Sequence, residues 1–108
     1  MTVQELSERL ALDPLCVPEP ERECTGGYTG DLLSWVMGNA QSGDVWITIM
    51  SNSNIVAVAT LADTACIILS EGVQPDPGVL ELAKRKEINL FRSEESSFTL
   101  SAKVAALL

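Results

Sequence analysis

The chain has 108 residues, 46% hydrophobic and 5% aromatic, with seven Lys plus Arg against fifteen Asp plus Glu and a net charge of −8. That length fits one domain whose core is aliphatic, with Trp35 and Trp46 as its large exceptions. The acidic balance argues against a nucleic-acid backbone or an anionic membrane as partner, since both are held by clustered cations.

The only cationic run, Lys84-Arg85-Lys86, falls near the end of an expected helix, where it complements the helix dipole. Met1-Thr2-Val3-Gln4-Glu5 lacks the basic start and apolar run of a signal peptide. No stretch approaches the roughly 18 continuous apolar residues that span a bilayer. Cys16, Cys24 and Cys66 are odd in number and unevenly spaced, which reads as reduced thiols in the cytoplasm and not as a disulfide framework.

In chain order, Thr2-x-x-Glu5 is a capping box, and Val3, Leu6 and Leu10 follow with helical spacing. Asp13-Pro14 ends that helix, and residues 13–23, with three prolines and four acids, read as a tether. The glycine-rich stretch from Cys24 to Gly30 leads into a helix, with Thr29 as N-cap, Asp31 in the first turn and Gly43 as C-cap. Leu32, Val36 and Ala40 form its apolar stripe. Asp44 opens a strand over Val45–Met50, and residues 51–54 are turn chemistry.

Ile55-Val56-Ala57-Val58-Ala59 is apolar on both faces and reads as a buried strand, with a helix capped by Asn54 as its rival. A brief helical turn over residues 60–64 precedes a third strand over Ala65–Leu69. Asp76-Pro77 opens a helix ending near Glu87, Ile88–Phe91 is a short strand, and Ser96 or Ser97 caps a last helix. Glu94 and Glu95 stand just ahead of that helix as charge favoured by its dipole. The alternation predicts an α/β layered domain with a small mixed or parallel sheet of about four strands flanked by helices.

Catalytic chemistry is scarce. The chain has no histidine, which removes the commonest general base and every Ser-His or Cys-His pair. No phosphate loop of the G-x-x-x-x-G-K-[ST] type and no G-x-G-x-x-G fingerprint occurs. Three scattered cysteines make no structural zinc site, so no metal and no cofactor is expected. Cys24 is the one thiol near an expected helix start, where a thiolate would be stabilised; an inert strand residue is the alternative.

One constellation can bind. Gly26, Gly27 and Gly30 let backbone approach a ligand, Thr25, Thr29 and Ser34 add hydroxyls, and Tyr28 adds a stacking face. Asp31 in the same stretch repels a bare phosphate, so a phosphate ligand there needs a cation. The alternative is a tight strand-to-helix turn with no ligand.

Residues 26–37 and 43–48, followed by Asn54–Ala59, Cys66–Gly72 and the helix after Pro75-Asp76-Pro77, resemble the small stand-alone DRTGG-domain proteins. Thr29-Gly30-Asp31 stands where the five-residue motif would lie, and the motif itself is not literally present. The resemblance divides the chain into an N-terminal helix and tether over 1–23 and a DRTGG-like domain over 24–108. It implies a three-layer α/β sandwich like the N-terminal domain of HPr kinase/phosphatase. It also implies a regulatory, ligand-sensing role, without catalysis, in an oligomer. The resulting expectation is a cytoplasmic homodimer that binds a small molecule, such as a nucleotide or phosphorylated metabolite, through Thr25, Gly26, Gly27, Tyr28, Thr29, Asp31 and Ser34. An assembly module for a redox (hydrogenase-related) or acetate-metabolism enzyme is the alternative.

Overall fold

A computed structural model describes all of residues 1–108. In chain order the elements are α1 (Val3–Arg9), β1 (Asp13–Cys16), β2 (Gly26–Thr29), α2 (Leu33–Asn39) and β3 (Asp44–Thr48). They continue with α3 (Asn54–Ala62), β4 (Cys66–Leu69), α4 (Val79–Arg85), β5 (Leu90–Arg92) and α5 (Ser97–Leu107). The five strands form one mixed sheet in the order β1-β5-β4-β3-β2, with every pairing parallel except β1 with β5.

Parallel neighbours need a crossover, and here each is a helix. Val36 of α2, Ile55, Val56 and Ala59 of α3, and Val79 and Ala83 of α4 all pack with Trp46, Ile67 and Leu90 on one face. Val3 and Leu6 of α1 and Leu100 and Val104 of α5 pack with Val45, Ile47, Ile68 and Phe91 on the other. The result is a three-layer sandwich. Residues 44–48 of β3 and 66–69 of β4 are buried throughout, as strands covered on both faces must be. No helix is long and apolar enough to cross a membrane.

Several local expectations change. Residues 55–59 are helix α3, not a strand, because β3 and β4 run parallel and the seventeen residues between them must carry the chain back. Ser53 occupies the N-cap, and the Asn52 side chain, not Asn54, takes the turn's backbone bond, accepting from the Asn54 N–H at 2.9 Å. Residues 13–23 are not a free tether. Their first part is strand β1, an edge position that tolerates Pro14. Their remainder is pinned by Val3 N–H to Arg22 O (2.8 Å) and by the Asn89 side chain bonding both backbone groups of Glu19.

Two helix ends also move. Gly43 is not the cap of α2, which ends on Ala40; Gly43 has φ +87° and turns the chain into β3. Helix α4 begins after Gly78 at φ +91°, two residues beyond Asp76, whose carboxylate accepts from Ser51 instead. Glu94 and Glu95 are taken by salt bridges to Arg92 and Lys103. The capping box at Thr2 and the Ser96 cap of α5 are present as expected.

Candidate functional site

The glycine-rich stretch is strand β2, not a turn, and it forms one edge of the sheet. Two glycines survive in a strand here for different reasons. A Cβ on Gly26 would stand 2.8 Å from Asp44 Oδ1, so only glycine leaves room for that buried carboxylate, which accepts from Gln41 N–H. A Cβ on Gly27 would meet only Val45 O at 3.5 Å and Val104 Cγ1 at 3.7 Å, which are ordinary contacts. Gly27 therefore leaves space between strand and helix instead of relieving a clash.

That space is a cavity of about 300 Å³ between β2 and the second half of α5. Thr25, Gly26, Gly27, Tyr28 and Thr29 form one wall. Ser101, Val104, Ala105 and Leu108 form the other, over Ile47 of β3. The Thr29 hydroxyl lies 2.6 Å from that of Ser101, which in turn donates to Ser97 O at 2.6 Å. No Asp, Glu, Lys or Arg side chain lines the cavity. Its chemistry is neutral: hydroxyls, glycine backbone and an aliphatic wall.

The structure thus brings together five of the seven residues singled out in the sequence and leaves two outside. Asp31 is not in the first turn of a helix; helix α2 is capped at Leu32 with no side-chain bond, so Thr29 is not a cap either. The Asp31 carboxylate instead accepts from the Thr48 hydroxyl at 2.9 Å and the Ile49 N–H at 2.8 Å, tying the end of β2 to the end of β3. Ser34 sits exposed on α2. Tyr28 reaches the cavity from the strand, but its ring packs into the cluster on the opposite face, beside Gly30, and offers no stacking surface there.

The α5 residues were missed because about seventy positions separate them from β2. Only the recurrence of small residues at Ser97, Ser101 and Ala105, one helical face, hinted at them.

Cys24 is not at a helix start. It is buried in the cluster under α1 and α5 together with Cys66, and all three cysteines are free. The neighbouring Cys66 thiol lowers the Cys24 thiol below its ordinary value, while the same neighbour and complete burial push Cys66 well above it. A second, polar cleft of about 180 Å³ lies at the N-terminal ends of β4 and β5, where Arg22 is already engaged by Asp63.

Comparison with curated proteins finds no match. Among solved structures, the chain superposes on the CBS and DRTGG domains of the regulatory region of Clostridium perfringens pyrophosphatase, complexed with activator, diadenosine tetraphosphate. The TM-score is 0.67 at 18% sequence identity, over 94% of this chain and 44% of that one, so this chain spans less than half of that region and the likeness is one of fold. Residues 32–107 match the DRTGG domain in sequence, and the chain belongs to the DRTGG domain family.

Proposed function

We propose that this chain is a regulatory domain, without catalytic activity of its own, that senses a small molecule in the cavity between β2 and α5. One observation carries the reading. A neutral cavity with glycine backbone on one wall and hydroxyls on both is built from the residues whose glycines otherwise weaken an edge strand. No carboxylate, amine, guanidinium or imidazole side chain lines it, which supports binding over catalysis. The activator-bound regulatory region of similar fold supports a nucleotide as the ligand class.

The cavity's size and lack of cations narrow that class. About 300 Å³ is at the small end of ligand sites, enough for one ring-sized group such as a nucleobase or nucleoside. Phosphates of a bound nucleotide would have to remain in solvent, because no Lys or Arg stands in the lining to meet them. We take the domain to work in the cytoplasm, which its free thiols support, and as a homodimer.

A thermal-shift screen of adenosine, ATP, diadenosine tetraphosphate, acetyl phosphate and coenzyme A tests the reading. A ligand present at about a hundred times its dissociation constant stabilises by roughly 2.7 kcal/mol, a rise of several degrees for a domain of this size. The rise should vanish in Gly27→Val, which fills the cavity. A flat screen would move the weight to an assembly module for a partner enzyme.

A further inference from the structure

We infer that the open edge of β2 is a two-fold dimer surface, on which β2 of a second copy of this chain pairs antiparallel. This names the surface for the homodimer reading above and rests on it, but it does not need the cavity to be occupied.

The two edges of the sheet differ. The β1 edge is protected by Pro14, by an irregularity between Pro14 and Cys16, and by the Asp13–Arg92 ion pair. The β2 edge has no proline, no charged residue and no bulge. Gly30 N–H bonds to Ile47 O, and strand alternation then turns Gly26 and Tyr28 inward to β3 as well. The N–H and C=O groups of Gly27 and Thr29 are left facing away from the sheet. An unguarded edge of this kind is a template for another strand.

A strand of four residues does not hold a dimer alone, since stable interfaces bury about 800 Å² per partner. The neighbouring helix supplies the rest. On α2 and its cap, Leu32 is 61% exposed and Trp35, three residues on along the same side, 63%. From residue 24 to 43 the only charged residue is Asp31, and its carboxylate is occupied by Thr48 and Ile49. An exposed aromatic and leucine with depleted charge around them is the composition of an interface centre. A charged partner would gain nothing from such a surface, whereas a neutral apolar one is complementary to itself.

The register follows from the outward groups. Antiparallel pairing of Gly27 with Thr29 of the second copy, and of Thr29 with its Gly27, satisfies all four residues reciprocally and puts the two-fold axis at Tyr28. In that register Asp31 faces a threonine, so two chains of net charge −8 meet without an acid opposing an acid. The two Tyr28 rings stand opposite one another on the α2 face, a favourable cross-strand pair.

Light scattering on the full chain after size exclusion reads the mass, with circular dichroism to confirm folding. Thr29→Val keeps the outward N–H and should remain dimeric. Thr29→Pro removes that N–H at an edge position that tolerates proline, and should weaken the dimer at least tenfold. Trp35→Glu, at an exposed helix site, should do the same with no change in fold. A wild-type monomer at every concentration up to the millimolar range overturns both the homodimer reading and this surface. A dimer that survives both Thr29→Pro and Trp35→Glu overturns this surface alone.

Discussion

Asp31 and the two strand glycines show how far a residue's type fixes its role. Asp31 stood in a glycine-rich stretch and read as part of a site, yet its hydrogen bonds join two strand ends. Replacing it by alanine leaves the buried Thr48 hydroxyl without that acceptor, at a cost of about 1–3 kcal/mol in urea unfolding. Ligand affinity at the β2–α5 cavity should be unchanged in the folded fraction. The glycines separate in the opposite sense. Gly26→Ala forces a methyl against Asp44 Oδ1 and should lose about 1–3 kcal/mol, whereas Gly27→Ala, in open space, should stay within about 0.5 kcal/mol of wild type. Equal losses at the two positions would contradict the cavity. Chemistry alone made the five lining residues legible; their direction was not, because the faces of a strand are assigned only once it is known to be a strand.

At the scale of elements, the ends of helices were legible where a side chain closes them. Thr2 with Glu5 is a reciprocal, local signal, and Ser96 accepting from the Thr99 N–H is a one-way local one. What failed was segments whose state is decided elsewhere in the chain. Ile55–Ala59 is apolar on both faces because α3 lies on the sheet with α2 and α4 beside it, so its periodicity was erased by its surroundings. The parallel pairing of β3 and β4 decides in favour of helix. Pro14 suggested a loop because the edge position that makes proline harmless depends on β5, seventy-odd residues away.

The capping box also predicts an acid limb. The Thr2 backbone N–H and then its hydroxyl hold Glu5 below the ordinary carboxylate value, and Ser42 and then Arg22 do so for Asp63. Both contribute stability that is present above the ordinary carboxylate range and lost as pH falls through their folded-state values. Glu5→Gln combined with Asp63→Asn, which removes both titrating carboxylates, should flatten that loss in a pH series of urea midpoints.

The whole molecule adds an alkaline limb from its core. Unfolding frees both Cys24 and Cys66 to ionise near the ordinary thiol value of 9.0, while in the folded protein the raised Cys66 keeps its proton. The folded state therefore binds more protons above that pH, and stability present below it is lost as pH rises. Cys66→Ala should lower stability at neutral pH but remove most of that alkaline decline.

Helices α2, α3 and α4 all cover one face, so the sheet has no reversal of winding and lacks the crevice where doubly wound folds bind ligands. The space left by incomplete cover lies at the β2 edge under α5, and that is where binding is assigned. The most direct measurement is an amide-resolved NMR titration of the full chain with adenosine and with diadenosine tetraphosphate. Binding as proposed shifts Gly27, Thr29, Ser101 and Ala105 first, leaves Arg22 and Lys86 at the polar cleft unmoved, and disappears in Gly27→Val. Shifts confined to that polar cleft, or a titration that survives Gly27→Val, would contradict it.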